Sequence, residues 1–219
     1  MQASDVIFDH LIEDSVDNDD NLKMFLDLYD NYYSYYRSLC CEFHDKVLFN
    51  SAKNIITDYN NKNSKNLTIF NLDNHGDPYP QWRQFYIKDE NSWLKDIFIS
   101  LLSDKYDFKS MYYTIQLGPN LQLTEEGQSF LRDNSPLLYP NVSAKFANYV
   151  FTNKPQSFWD ASIRLAIIKD VATFRKTQNV DNCDGCKIYT SIIPVILDLI
   201  YKLVEDKTKY IIENPESAS

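Results

Sequence analysis

Five side chains of metal-ligating type fall in two clusters of this chain. Cys183-Asp184-Gly185-Cys186 is a C-x2-C, and Cys40, Cys41 and His44 stand together far upstream. Thiolates and neutral imidazole are the ligands of tetrahedral zinc, and the glycine gives the backbone freedom to turn both sulfurs of the C-x2-C toward one centre. His44 follows Cys40 by four residues and Cys41 by three, so on a helix either pair shares a face. Four of Cys40, Cys41, His44, Cys183 and Cys186, as three thiolates with an imidazole or as four thiolates, would hold a structural zinc. That ion would staple an N-terminal helix to the loop before the last helix. Two other readings stay open on the same residues: ordinary buried thiols, with Cys40 continuing an apolar stripe, and a redox C-x2-C. The motif has no second C-x2-C at zinc-finger spacing, and Cys183 does not follow the strand of a βαβ unit.

Little else in the sequence is equipped for chemistry. Only four glycines occur, Gly76, Gly118, Gly127 and Gly185, and none has another near it. Phosphate-binding loops and nucleophile elbows need clustered glycines, so neither G-x-G-x-x-G nor a P-loop is present. His10, His44 and His75 have no nucleophile beside them in a recognisable arrangement, which leaves His75 and Asp77, in a turn, as the only place to look for catalysis. The expectation is a chain that is not an enzyme, with zinc as its one candidate cofactor.

The elements that must position these residues follow from periodicity. From Asp20 to about Tyr59 there is no Gly or Pro, and Leu22, Phe25, Tyr29, Tyr32, Tyr36, Cys40, Phe43 and Val47 repeat at helical spacing. This predicts one long helix, or two with a break near Phe49 to Ser51, and a loop from Asn60 to Asn66. Leu67 to Phe70 and Gln84 to Ile87 are β-prone runs around the turn-forming Asp73 to Pro78, a small two-stranded excursion. Asn91 to Ser103 reads as helix, with Trp93, Ile97 and Leu101 at i, i+4 and i+8. Met111 to Leu117 reads as strand and Leu121 to Leu123 as its return after Gly118-Pro119-Asn120. Thr124 caps a helix running to Arg132. The order of elements from Trp93 to Arg132 resembles parts of a winged-helix module, without the basic recognition helix that DNA binding would need; the resemblance implies a protein-binding wing.

Further on, Ser157 is read as an N-cap with Asp160 at N3, opening a helix whose apolar face is Trp159, Ile163, Ala166, Ile167, Val171 and Phe174. Thr177 to Ile188 reads as loop. Ser191 caps a last helix with Pro194 in its first turn and apolar residues almost all round, the central element of a bundle. The fold class expected is therefore mainly α: a helical bundle with a small β-hairpin-like excursion, an α+β minor component. Residues 1–19 are expected as an acidic tail with a short amphipathic segment, 20–212 as one mostly helical domain, and 213–219 as a flexible tail.

Charge bounds the partners. The formal net charge is −9, and residues 1–30 alone hold nine carboxylates against Lys23, a local net of −8. The other 189 residues carry 22 acids and 21 bases, close to neutral, so the body lacks the positive field of a non-specific nucleic-acid binder. No stretch is apolar for the roughly 20 residues of a membrane span, and no signal-peptide pattern opens the sequence, which predicts a cytoplasmic or nuclear protein without membrane partners.

The functional expectation is a non-catalytic interaction subunit or adaptor of an intracellular complex, with other protein subunits as partners. Ile7, Phe8, Leu11 and Ile12 would dock as a short helix, and Tyr35, facing away from the other tyrosines of its helix, would make an exposed contact. The alternative is a nucleic-acid-associated protein using the mildly basic face between Lys145 and Lys176, with Arg164, Lys169, Arg175 and Lys176 on it and a zinc-stapled loop beside it.

Overall fold

The computed structural model describes residues 33–71, 83–89, 97–103, 108, 111–117, 121–134, 139–140, 149–153 and 157–213. Helices take the larger share of these residues and strands the smaller, so the chain is mainly α with a minor β component. The first described helix, α1 (Tyr33–Glu42), runs without a break through a π-helical turn at Phe43–Leu48 into α2 (Phe49–Asn63). The discontinuity that the apolar spacing places near Phe49 to Ser51 is thus a local widening of one helix. The wider turn brings Phe43, His44, Val47 and Leu48 all into the core. Ser64, in the left-handed region, ends α2 and its N–H returns to the Asn60 carbonyl.

The expected hairpin is present as β1 (Leu67–Asn71) and β2 (Arg83–Asp89), antiparallel with Ile69 opposite Ile87. It is the start of a larger sheet. Next come β3 (Ile97–Ser103), β4 (Met111–Leu117), β5 (Leu121–Leu123), α3 (Glu125–Asn134), β6 (Tyr139–Pro140) and β7 (Tyr149–Asn153). Six of the strands form an antiparallel sheet in the order β1-β2-β3-β4-β7-β6. The helix expected over Asn91 to Ser103 is therefore a central strand from Ile97 onward. A spacing of four between Trp93, Ile97 and Leu101 fits a helix face, but as an even number it also fits one face of a strand, and pairing with β2 and β4 decides. The loose likeness to a winged helix goes with that helix.

The other correction concerns β5. It does not return along β4 but pairs with β8 (Ile211–Glu213) at the far end of the chain, Leu123 opposite Ile211. Thr124 caps α3 as expected, its hydroxyl accepting the Gly127 N–H at 3.0 Å. The same residue ties this end down, donating its own N–H to the Tyr210 carbonyl and its hydroxyl to that of Lys209.

The C-terminal third is helical: α4 (Ala161–Thr177), α5 (Asp184–Thr190), α6 (Ile193–Glu205) and the single turn α7 (Lys207–Tyr210). Helix α4 begins later than the Ser157 cap predicts. Ser157 instead spends its hydroxyl on the Phe108 carbonyl and the Trp159 N–H, while its N–H donates to Asp160. The expected face is buried at Ile163, Ile167, Val171 and Phe174. Helix α6 buries Ile196, Leu197, Leu199, Ile200 and Leu203, each contributing roughly 1.5–3 kcal/mol. The segment expected as a loop before it contains α5.

The buried apolar residues form one cluster between the sheet and the helices. At its centre Phe158 stacks on Phe108 (4.9 Å between centroids) and meets Phe43 and Tyr189 edge-on at 5.1 Å each. The polar ends of two buried tyrosines cross the layers: Tyr36 donates to the Phe158 carbonyl at 2.7 Å, and Tyr113 of β4 donates to the carbonyl of Tyr189 in α5. Among the described residues no helix is long and apolar enough to cross a membrane.

Candidate functional site

Among the described residues, one group of ligand-type side chains converges: Asp170, Cys183 and Cys186. Their ligand atoms all lie within 4.8 Å of one another and all three residues are buried. Cys183 is the N-cap of α5 and Cys186 its third helical residue, so one helical turn brings the two sulfurs together. Asp170 arrives from the middle of α4. Its Oδ2 accepts the Cys186 N–H at 3.1 Å, and the amides of Gly185 and Asp184 also donate to the carboxyl. The side chain of one helix thus satisfies the open amides at the start of another.

Gly185 makes this approach possible, though for a different reason than the backbone turn its type suggests. It sits inside α5. A β-carbon there would lie 2.8 Å from Asp170 Oδ2 and 3.3 Å from the Ile167 nitrogen, so its missing side chain is what lets α5 rest on α4.

The electrostatics follow from burial. Desolvation pushes the Asp170 carboxyl up to about 7, against the opposing pull of the three α5 amides. The Cys186 thiol is raised well above its ordinary value, first by its hydrogen bond to Cys183 and then by burial; the Ser51 hydroxyl of α2 opposes the shift. Without a cation these surroundings favour the protonated form of Cys186. Its donor set, two sulfurs and one carboxylate oxygen, is that of a soft divalent metal, and its paired sulfurs are also those of a dithiol.

The upstream cluster does not join it. Cys40 is buried against Tyr36, with which it shares a side-chain hydrogen bond, and burial raises its thiol. Cys41 is half-buried. His44 is enclosed, its Nδ1 3.0 Å from Asp45 Oδ1 and its ring between Phe85 and Phe108 at 5.7 and 5.9 Å. None of these three belongs to the converging group, so the four-ligand set drawn from Cys40, Cys41, His44, Cys183 and Cys186 is not assembled. Asp170 is the residue that spacing alone misses. A signal for it does exist: it lies three residues after Ile167 and four after Ala166, a carboxylate set in the apolar stripe of α4.

The basic residues proposed for nucleic acid sit on α4, and Arg175 is held by α1. Arg175 forms a two-pronged ion pair with Glu42, Nη2 to Oε2 at 2.7 Å and Nε to Oε1 at 3.2 Å. Arg164 and Lys169 are half-buried and Lys176 is exposed. Ile7, Phe8, Leu11, Ile12, His75 and Asp77 lie outside the described residues, as does the side chain of Tyr35, whose backbone is in α1.

A cleft of about 320 Å³ opens between α2 and α6, lined by Ile55, Asp58, Tyr59, Lys62, Asn63, Pro194 and Asp198. The Tyr59 hydroxyl donates to Asp198 at 2.7 Å, and stacked beside it Tyr201 donates to the buried Asp89 at 3.1 Å. No family model matches the chain, and no curated protein or solved structure is similar enough to count as a relative.

Proposed function

We propose that this chain is a non-catalytic interaction subunit of a multiprotein assembly. The observation that carries this reading is the division of side chains between core and surface. Among the described residues, Asp170, Cys183, Cys186 and His44 are buried in contacts that hold the fold, while large apolar side chains remain in solvent. Val195 is 44% and Ile188 39% exposed, on either side of the short joint between α5 and α6. Val195 adjoins Pro194 at the wall of the α2–α6 cleft, where Asp58 and Asp198 supply a polar rim. An apolar centre with a charged border is the composition of a protein-binding patch.

The test is affinity purification of the full chain from its native source, beside Ile188→Asp and Val195→Asp variants of unchanged circular dichroism. Stoichiometric protein partners that survive moderate salt and nuclease, and that both variants lose, support the reading. Partners retained by both variants remove this surface from it. Recovery of nuclease-sensitive material alone transfers the function to the basic residues of α4.

A further inference from the structure

The convergence of Asp170 with Cys183 and Cys186 has a purpose that helix capping alone does not require. Capping the α5 amides needs the carboxylate; it does not need two sulfurs beside it in a space closed to solvent. We propose that Asp170, Cys183 and Cys186 bind one zinc ion that locks α5 onto α4, with the fourth position taken by the Ser51 hydroxyl or a water next to it.

The geometry is close to what the ion demands. With Zn–S of about 2.3 Å and Zn–O of about 2.0 Å in a tetrahedron, ligand atoms stand roughly 3.5–3.8 Å apart. The three atoms here already lie within 4.8 Å of one another, so closing on a metal takes small side-chain adjustments. Two thiolates favour zinc over the hard cations magnesium and calcium. The carboxylate is oriented from behind by the Cys186, Gly185 and Asp184 amides, the kind of supporting hydrogen bond that fixes a metal ligand in place. Ser51, half-buried on α2, bonds to the Cys186 sulfur, which places its hydroxyl beside the cluster. Each thiol that becomes a ligand, and the Asp170 carboxyl where it still holds its proton, releases that proton to solvent, and the ion with two thiolates and one carboxylate carries a net −1.

The site differs from the zinc set that sequence spacing suggests, because it uses Asp170 in place of anything from Cys40, Cys41 or His44. It can therefore be tested by which residues matter. The full chain, purified reduced and stripped with chelator, is titrated with cobalt(II) as the spectroscopic stand-in for zinc. One equivalent is expected to bind, with sulfur-to-cobalt charge transfer in the near ultraviolet and tetrahedral bands in the visible, both erased by one equivalent of zinc. Cys183→Ser retains a favoured N-cap side chain and hence α5; it should lose charge-transfer intensity and at least about tenfold in affinity. Asp170→Asn keeps an oxygen for the α5 amides and should weaken binding by a similar factor while the sulfur bands persist. Cys41→Ser should change nothing. A folded, reduced wild-type chain that takes up no cobalt overturns the proposal. So does binding that Cys183→Ser and Asp170→Asn leave intact, or binding that Cys41→Ser abolishes.

Discussion

At the scale of single residues, the Gly185–Asp170 contact makes two predictions. A methyl group on Gly185 would meet the carboxylate at 2.8 Å, and the neighbouring α4 backbone leaves it nowhere to go. Gly185→Ala should destabilise the chain by about 1–3 kcal/mol, read as a lower denaturation midpoint at unchanged m-value. Asp170 itself should make stability depend on pH in the metal-free protein. Its ordinary value is 3.8 and burial raises it to about 7, so between these limits the folded chain holds a proton that the unfolded chain has released. Its contribution is fully present below pH 3.8 and is lost as pH rises through about 7. Thermal unfolding in chelator should show that decline, and Asp170→Asn should flatten it; an identical pH slope in both proteins would mean that the carboxyl titrates normally. The Cys183 and Cys186 positions are visible in the sequence as a motif, and Asp170 is visible as a charge in an apolar stripe. That the two meet is not, because no spacing rule links the middle of one helix to the start of the next.

At the scale of elements, the ion pair between α1 and α4 and the seam between α3 and α7 have separable effects. Arg175 and Glu42 are only 23% and 20% exposed, and the guanidinium meets both carboxylate oxygens. Lysine cannot reproduce that fork, so Arg175→Lys should cost on the order of 1 kcal/mol, and a double-mutant cycle with Glu42→Gln should show coupling of that size. No coupling would make the pair a surface ornament. At the other seam, a β-carbon on Gly127 would run into the Tyr210 carbonyl, the same oxygen that accepts the Thr124 N–H. Gly127→Ala should therefore loosen α3 from α7 and fray the β5–β8 pair. Hydrogen exchange at Thr124 and Ile211 should then quicken while the amides of α4 keep their protection. These contacts explain which elements are legible. Helices α2, α4 and α6 and the β1–β2 hairpin announce themselves through local periodicity and turn residues. Strand β3 hides behind a spacing of four, and the partner of β5 lies almost ninety residues away.

At the scale of the whole molecule, the helical layer and the sheet are held together by aromatic packing around Phe158, which is fully buried among Phe43, Phe108 and Tyr189. Phe158→Ala removes that centre and should cost about 3–5 kcal/mol, with loss of near-ultraviolet circular dichroism before helix content falls. A change below about 1 kcal/mol would show that the layers are held by other contacts.

What the sequence determines by itself is local: a mainly helical chain, the apolar faces of α4 and α6, the hairpin, the cap at Thr124, the acidic concentration in residues 1–30 and the paired cysteines of the C-x2-C. Periodicity reports these because burial acts on residues three, four or two apart, whatever the rest of the chain does. The tertiary structure alone decides that Ile97–Ser103 is a central strand, that Arg175 is spent on Glu42, that Cys40 and His44 stay apart from the C-x2-C, and that Asp170 completes the cluster. Each of these depends on a partner distant in sequence, and the energy that selects it, strand pairing, ion pairing or the satisfaction of buried amides, exists only once the two segments have met.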